Sequence, residues 1–140
     1  MSDDPYRAFI AGERPDDVCV FISATAPDRG VDFPVEGIPV NGGTVYVIEG
    51  ERGQTLFSMA TGEDIMTLAR HAMRNEGAIG PNLTAGTCPV CGRTGHPLAL
   101  FAFAEEQNEA VGGLYAEGNV VHAYAMCSCG ESYSDRWVAD

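Results

Sequence analysis

The sequence predicts an α+β fold, with a small α/β part over residues 1–86 packed on an antiparallel sheet over residues 87–140 and the two sharing one core. Three observations predict it. Two close cysteine pairs lie toward the C-terminus, runs of strand character surround them, and one strongly periodic helix precedes them. At 140 residues the chain has the size of a single domain and can bury roughly two-thirds of its unfolded surface.

Asp4 followed by Pro5 starts a helix, since Asp can cap it and Pro is tolerated in its first turn. Tyr6, Phe9 and Ile10 share one face and Gly12 stops it. Arg14-Pro15-Asp16-Asp17 turns into a strand at residues 18–23, whose unbroken apolar character predicts burial on both faces. Residues 24–43, rich in Pro and Gly, form an irregular connection with 31–35 extended. Residues 44–49 read as the second strand, Gly50-Glu51-Arg52-Gly53 as a turn, and 54–60 as a short helix. The clearest helix runs over 63–76. Thr61 or Gly62 caps it, Glu63 and Asp64 complement its positive end, and Gly77 falls where a left-handed C-cap belongs. Ile65, Leu68, Ala69, Ala72 and Met73 make its apolar stripe. Residues 79–87 loop to the first cysteine pair. Beyond it, 98–104 is a strand with a strongly apolar face and 105–113 a loop or a single helical turn. Residues 114–117 and 120–126 read as a hairpin around Glu117-Gly118-Asn119, and 131–138 as the last strand.

The chemistry is concentrated in Cys88-Pro89-Val90-Cys91-Gly92 and Cys127-Ser128-Cys129-Gly130. A zinc-sized ion holds four thiolates at about 2.3 Å, so the chain must present two sulfurs from each of two tight turns. Pro89 fixes φ before the first turn, and Gly92 and Gly130 each supply a residue that can turn left-handed and aim N–H groups at sulfur. Cys88, Cys91, Cys127 and Cys129 are therefore the expected ligands of one structural zinc ion, in the layout of a zinc ribbon with an enlarged insert. Four protein ligands leave no open position for water or substrate. Iron would fit the same donors. A redox dithiol at Cys88 and Cys91 would ordinarily open a helix, which Gly-Arg-Thr-Gly-His-Pro cannot start, and nothing points to secreted disulfides. Cys19, inside an apolar run, reads as a small hydrophobe.

Twenty acidic residues face eight basic ones, all eight are Arg, and the formal charge is -12. Complete absence of Lys beside such an acid excess reads as adaptation to high internal salt, where self-repulsion is screened within a few Å. No apolar run approaches the roughly 20 residues of a membrane span, and the start lacks a basic leader, so a cytoplasmic location is expected. The missing Lys excludes a phosphate-binding loop of the Gly-rich Lys-Ser/Thr kind. There is no Gly-x-Ser-x-Gly elbow and no zinc-deaminase signature.

Single residues tempt and are weighed against plainer readings. His71 reads as an exposed helix residue, His96 as a spare beside a ligand set already filled, and His122 as a hydrogen-bonded strand residue. Glu105, Glu106, Glu109 and Glu117 read as a solvated acidic face. Tyr115, Tyr124, Tyr133 and Trp137 could stack on bases, yet no basic footprint accompanies them, so nucleic acid is the lesser expectation.

From Phe101 through Gly118, and again at His122-Ala123-Tyr124-Ala125-Met126-Cys127-Ser128-Cys129-Gly130 and Tyr133-Ser134-Asp135-Arg136-Trp137, the chain resembles a family of uncharacterised small haloarchaeal proteins with a C-terminal zinc-knuckle motif. The opening Phe9-Ile10-Ala11-Gly12-Glu13-Arg14-Pro15-Asp16-Asp17-Val18 is similar too. The resemblance implies no activity. Two functional readings stand: a non-enzymatic binding or adaptor module with a protein partner, contacted by Tyr115, Tyr124 and Trp137, and a small-molecule enzyme. The enzyme would have its pocket between the α/β part and the knuckled sheet, with His122 or His71 and a nearby carboxylate as acid and base.

Overall fold

The computed structural model describes residues 4–27 and 29–139. It is an α+β fold built on one six-stranded antiparallel sheet in the order β2-β3-β1-β7-β8-β9. In chain order the elements begin with α1 (Pro5–Ile10), β1 (Asp17–Ser23), β2 (Ile38–Val40), β3 (Gly43–Glu49), α2 (Gly50–Thr61) and α3 (Ile65–Ala72). The short strands β4 (Ala78–Ile79), β5 (Gly86–Thr87) and β6 (Thr94–Gly95) follow and form a separate three-stranded sheet. Last come β7 (Ala99–Glu105), α4 (Leu114–Glu117), β8 (Val120–Met126) and β9 (Ser132–Val138). Among the described residues, no helix is long and apolar enough to cross a membrane.

The unbroken apolar character of β1 is explained by its place at the centre of the sheet. It pairs with β3 from Asp17↔Glu49 to Ser23↔Gly43, and with β7 from Val18↔Phe103 to Ile22↔Ala99. Alternate residues then enter two cores. Cys19, Phe21, Leu100, Ala102, Val121 and Ala123 face one side, under Phe9 of α1 and the segment carrying Ile79 and Leu83. Val18, Val20, Ile48, Phe101 and Tyr124 face the other, under Phe57 of α2 and Ile65, Leu68 and Ala72 of α3. Helix α2 lies close on the sheet because Gly53 faces it: a Cβ there would stand 2.1 Å from Val18 Cγ2 and 2.9 Å from Ile48 Cγ2.

Both sheet edges are blunted. β2 is only three residues long and contains Pro39, a residue that cannot donate to a further strand. On the other edge the chain leaving α3 runs beside β9. Ser134 N–H donates to Asn75 O at 3.0 Å, Gly77 N–H donates to Ser134 O at 2.9 Å, and Asn75 Nδ2 donates to Ser132 O at 3.0 Å.

Several elements differ from the sequence expectation. The helix expected from residue 54 begins at Gly50, because the Glu49 carboxylate accepts from the N–H groups of Glu51 and Arg52 at 3.0 and 3.4 Å and so caps an earlier start. Gly62 does not cap α3. It ends α2 in the left-handed conformation at φ 75°, and Asp64 caps α3, which stops at Ala72. β2 forms inside the connection expected to be irregular, while residues 31–35 form no strand. Residues 114–117 form the helical turn α4 and not a strand, since both edges of β8 are already taken by β7 and β9.

Candidate metal centre and a second candidate site

Each cysteine pair occupies the tip of a hairpin. The first lies between β5 and β6, where Cys88 N–H donates to Arg93 O at 2.9 Å and Gly92 N–H donates to Cys88 O at 2.9 Å. The second lies between β8 and β9, where Cys127 N–H donates to Glu131 O at 2.9 Å and Gly130 N–H donates to Cys127 O at 3.1 Å. Gly92 and Gly130 close these turns at φ 77° and 96°, values that L side chains rarely adopt. The segment between the two pairs supplies one strand to each hairpin, β6 to the first and β8 to the second, and so brings the turns together.

Cys88 Sγ is 3.9 Å from Cys129 Sγ, Cys91 Sγ is 3.6 Å from Cys127 Sγ, and the four sulfurs lie within 4.8 Å of one another. Four thiolates around a zinc-sized ion at about 2.3 Å stand about 3.8 Å apart along each tetrahedral edge. A disulfide would need about 2.0 Å, and all four are free thiols. The donor set therefore fits a tetrahedral metal ion.

Cys88 and Cys127 are buried, and Cys91 and Cys129 are exposed, so the cluster has an inner and an outer half. The Arg93 N–H at 3.4 Å from its sulfur lowers the Cys91 thiol to about 7 against the opposing effect of desolvation, with the other three thiols adding to the lowering. Cys129 is pushed up to about 12: the Glu131 backbone N–H lowers it, and desolvation with the remaining thiols outweighs that. Ligation of a cation by the four sulfurs would displace their protons. Arg93 Nη1 donates to Ser128 Oγ at 2.7 Å, tying one hairpin to the other beside the sulfurs. Tyr133 is buried beneath, and a Cβ on Gly77 or Gly86 would come within 2.7 or 2.6 Å of it, so these two glycines make its seat.

His96 stands apart from the cluster, its Nδ1 2.6 Å from Thr84 O and its ring 5.9 Å from that of Phe21. His71 is exposed in the last turn of α3. Cys19 is fully buried in the core, and burial pushes its thiol up. Tyr124 is buried and Trp137 packs against the core, so neither is an exposed anchor, and Tyr115 turns into a cleft wall.

That cleft, of ≈ 580 Å³, opens on the side of the sheet that carries α2 and α3. Register across three strands sets Phe103, His122 and Arg136 side by side, and Phe103 stacks on His122 at 4.8 Å and 12°. His122 Nε2 lies 2.8 Å from Glu105 Oε1 and 3.4 Å from the Tyr115 hydroxyl. Burial holds the His122 imidazole below its ordinary value against the opposing pull of Glu105, and Arg136 adds to the depression. Glu105 and His122 were visible in the sequence only as separate residues. Arg136 and Phe103 carried no local signal, since only strand register brings them to the site.

The model of a family of unknown function (DUF5807) matches residues 37–140, more than half of the chain. The chain belongs to DUF5807. The DUF5807 span contains the four cysteines and every residue of the cleft wall, and leaves α1 and β1 outside. No curated protein matches the chain, and no solved structure does.

Proposed function

We propose that this chain is a zinc-stapled binding module, in which Cys88, Cys91, Cys127 and Cys129 hold one structural zinc ion. The observation that carries this reading is the four-sulfur cluster with tetrahedral edges between two hairpin tips. Four protein donors complete the shell of such an ion, which favours holding structure over activating water. Zinc is preferred to iron because a purely structural tie needs no redox chemistry. The strands of the small sheet are two residues long, too short to be stable unaided, and a metal tie would supply what they lack.

Binding of a protein partner goes with this reading. Its support is a set of exposed methionines, Met59 on α2, Met66 on α3 and Met73 just beyond it, since flexible thioether side chains suit adaptable interfaces. The acid excess argues against nucleic acid and for a salt-rich cytoplasm that keeps the thiols reduced. Elemental analysis of protein purified without added metal should find about one zinc per chain, with X-ray absorption showing four sulfurs at about 2.3 Å. Metal-free protein with unchanged structure and melting temperature would refute the reading.

A second reading, a small-molecule site or enzyme, is favoured by the concave cleft in which His122, Glu105, Tyr115 and Arg136 converge.

A further inference from the structure

The walls of the cleft contain donors that the fold itself satisfies poorly. The Tyr115 hydroxyl is 3.4 Å from His122 Nε2 and accepts from Arg136 Nη1 at 3.5 Å, both beyond the 2.7–3.2 Å range of a well-made bond of this kind. Among the described residues Arg136 makes no ion pair. Two of the nearby carboxylates have other partners. Glu105 is held by His122, and Asp135 accepts from the N–H of Ile79 at 3.0 Å through one oxygen and from the N–H of Arg136 at 2.8 Å through the other. A guanidinium and a phenol therefore face the same open space, loosely joined, as polar groups of a ligand-free site often are.

The rest of the wall sets the shape and charge of what fits. Phe103 lies 4.8 Å from the His122 ring and 6.1 Å from the Tyr124 ring, an aromatic surface suited to a flat apolar body. A volume of ≈ 580 Å³ lies within the range of small-molecule sites. Glu76, Glu105 and Asp135 put three carboxylates in the wall. Their charge disfavours a dianion such as phosphate, and Arg136 can offset at most a single negative charge on a ligand.

We infer that this cleft binds a small aromatic monocarboxylate, its carboxylate held by Arg136 and the Tyr115 hydroxyl and its ring received by Phe103 and Tyr124. This deepens the second reading above and does not depend on which metal the cysteines hold.

The test titrates the metal-loaded full chain with benzoate, benzylamine and inorganic phosphate in one buffer, followed by backbone and side-chain NMR. Benzoate should give saturable shifts at Tyr115, His122 and Arg136. Arg136→Gln should weaken benzoate about tenfold or more, and Tyr115→Phe, which keeps the ring, several-fold, with the sheet resonances of both variants unmoved. Tighter binding of benzylamine or phosphate, or benzoate binding indifferent to Arg136→Gln, overturns the ligand class and leaves the cleft as a site. Absence of saturable cleft shifts with all three probes overturns both the inference and the second reading. Zinc content, measured on the same samples, reports separately on the metal.

Discussion

Serine at Cys88 and serine at Cys129 should have different effects on the fold, and the difference separates metal binding from packing. Either change removes one of four donors. Free zinc held at a thousand times its dissociation constant stabilises the folded chain by about 4.1 kcal/mol. With an unfolding entropy of about 2.1 cal/mol/K per residue, a chain of 140 residues should lose about 14 °C of melting temperature when zinc is chelated. Cys129 is exposed, so Cys129→Ser should melt where the chelated wild type melts. Cys88 is 1% exposed, among Ile79, Leu83 and Tyr133. A hydroxyl placed there costs a further 1–3 kcal/mol, roughly, which is about 3–10 °C even without metal. Calorimetry of the wild type and both variants in zinc-buffered and chelator-containing solutions measures each state. Equal melting temperatures for the two variants in chelator would refute the inner and outer division of the site, and a wild type indifferent to chelation would refute the structural role of the metal.

Gly53→Ala should destabilise the protein by about 1 kcal/mol in urea unfolding although alanine favours helices, because overpacking against Val18 and Ile48 outweighs the propensity gain. In a Val18→Ala background the same change should cost less, with Ile48 Cγ2 still 2.9 Å from the new Cβ; stabilisation in the wild-type background would count against the close approach of α2. The His122 imidazole should titrate below its ordinary value in NMR, and Glu105→Gln should lower it further, since the carboxylate raises it. The unfolded chain then takes the proton first, so this residue's contribution to stability is present above about pH 6.5 and lost as pH falls through the folded value. A folded midpoint at or above 6.5 would contradict the burial argument. Melting temperature should rise from dilute buffer to molar potassium chloride, as screening relieves the repulsion of twenty acids; a flat or falling trend would remove the case for salt adaptation.

What was legible in the sequence was local. The cysteine turns could be read because chelation needs donors a few residues apart and a left-handed glycine after each pair, and Gly92 and Gly130 take that conformation. The runs at β1, β3, β7 and β8 could be read from their apolar content, and β9 from its place after the second cysteine pair. The segment 114–117 could not, because its fate depends on whether β8 has a free edge, a fact settled by distant strands. The start of α2 was hidden in Gly50-Glu51-Arg52-Gly53, where two glycines mimic a turn while Glu49 supplies the cap. The cleft was hidden for the same reason as the strand error. Phe103, His122 and Arg136 become neighbours only through the register of three strands.

The central position of β1 has a consequence for how the protein is made. This strand ends at Ser23, yet one of its two neighbours, β7, begins only at Ala99. At 5–20 residues per second, roughly 4–15 seconds pass on the ribosome before that side of β1 can be covered. During that interval β3 is its only sheet partner, and an apolar edge stays open to the cellular milieu. Any ion held by the four cysteines would come later still, since its full grip must wait for Cys129. Metal occupancy would then mark a nascent chain in which β7 is already made and β1 can have both its partners, and an empty site one that has not come so far.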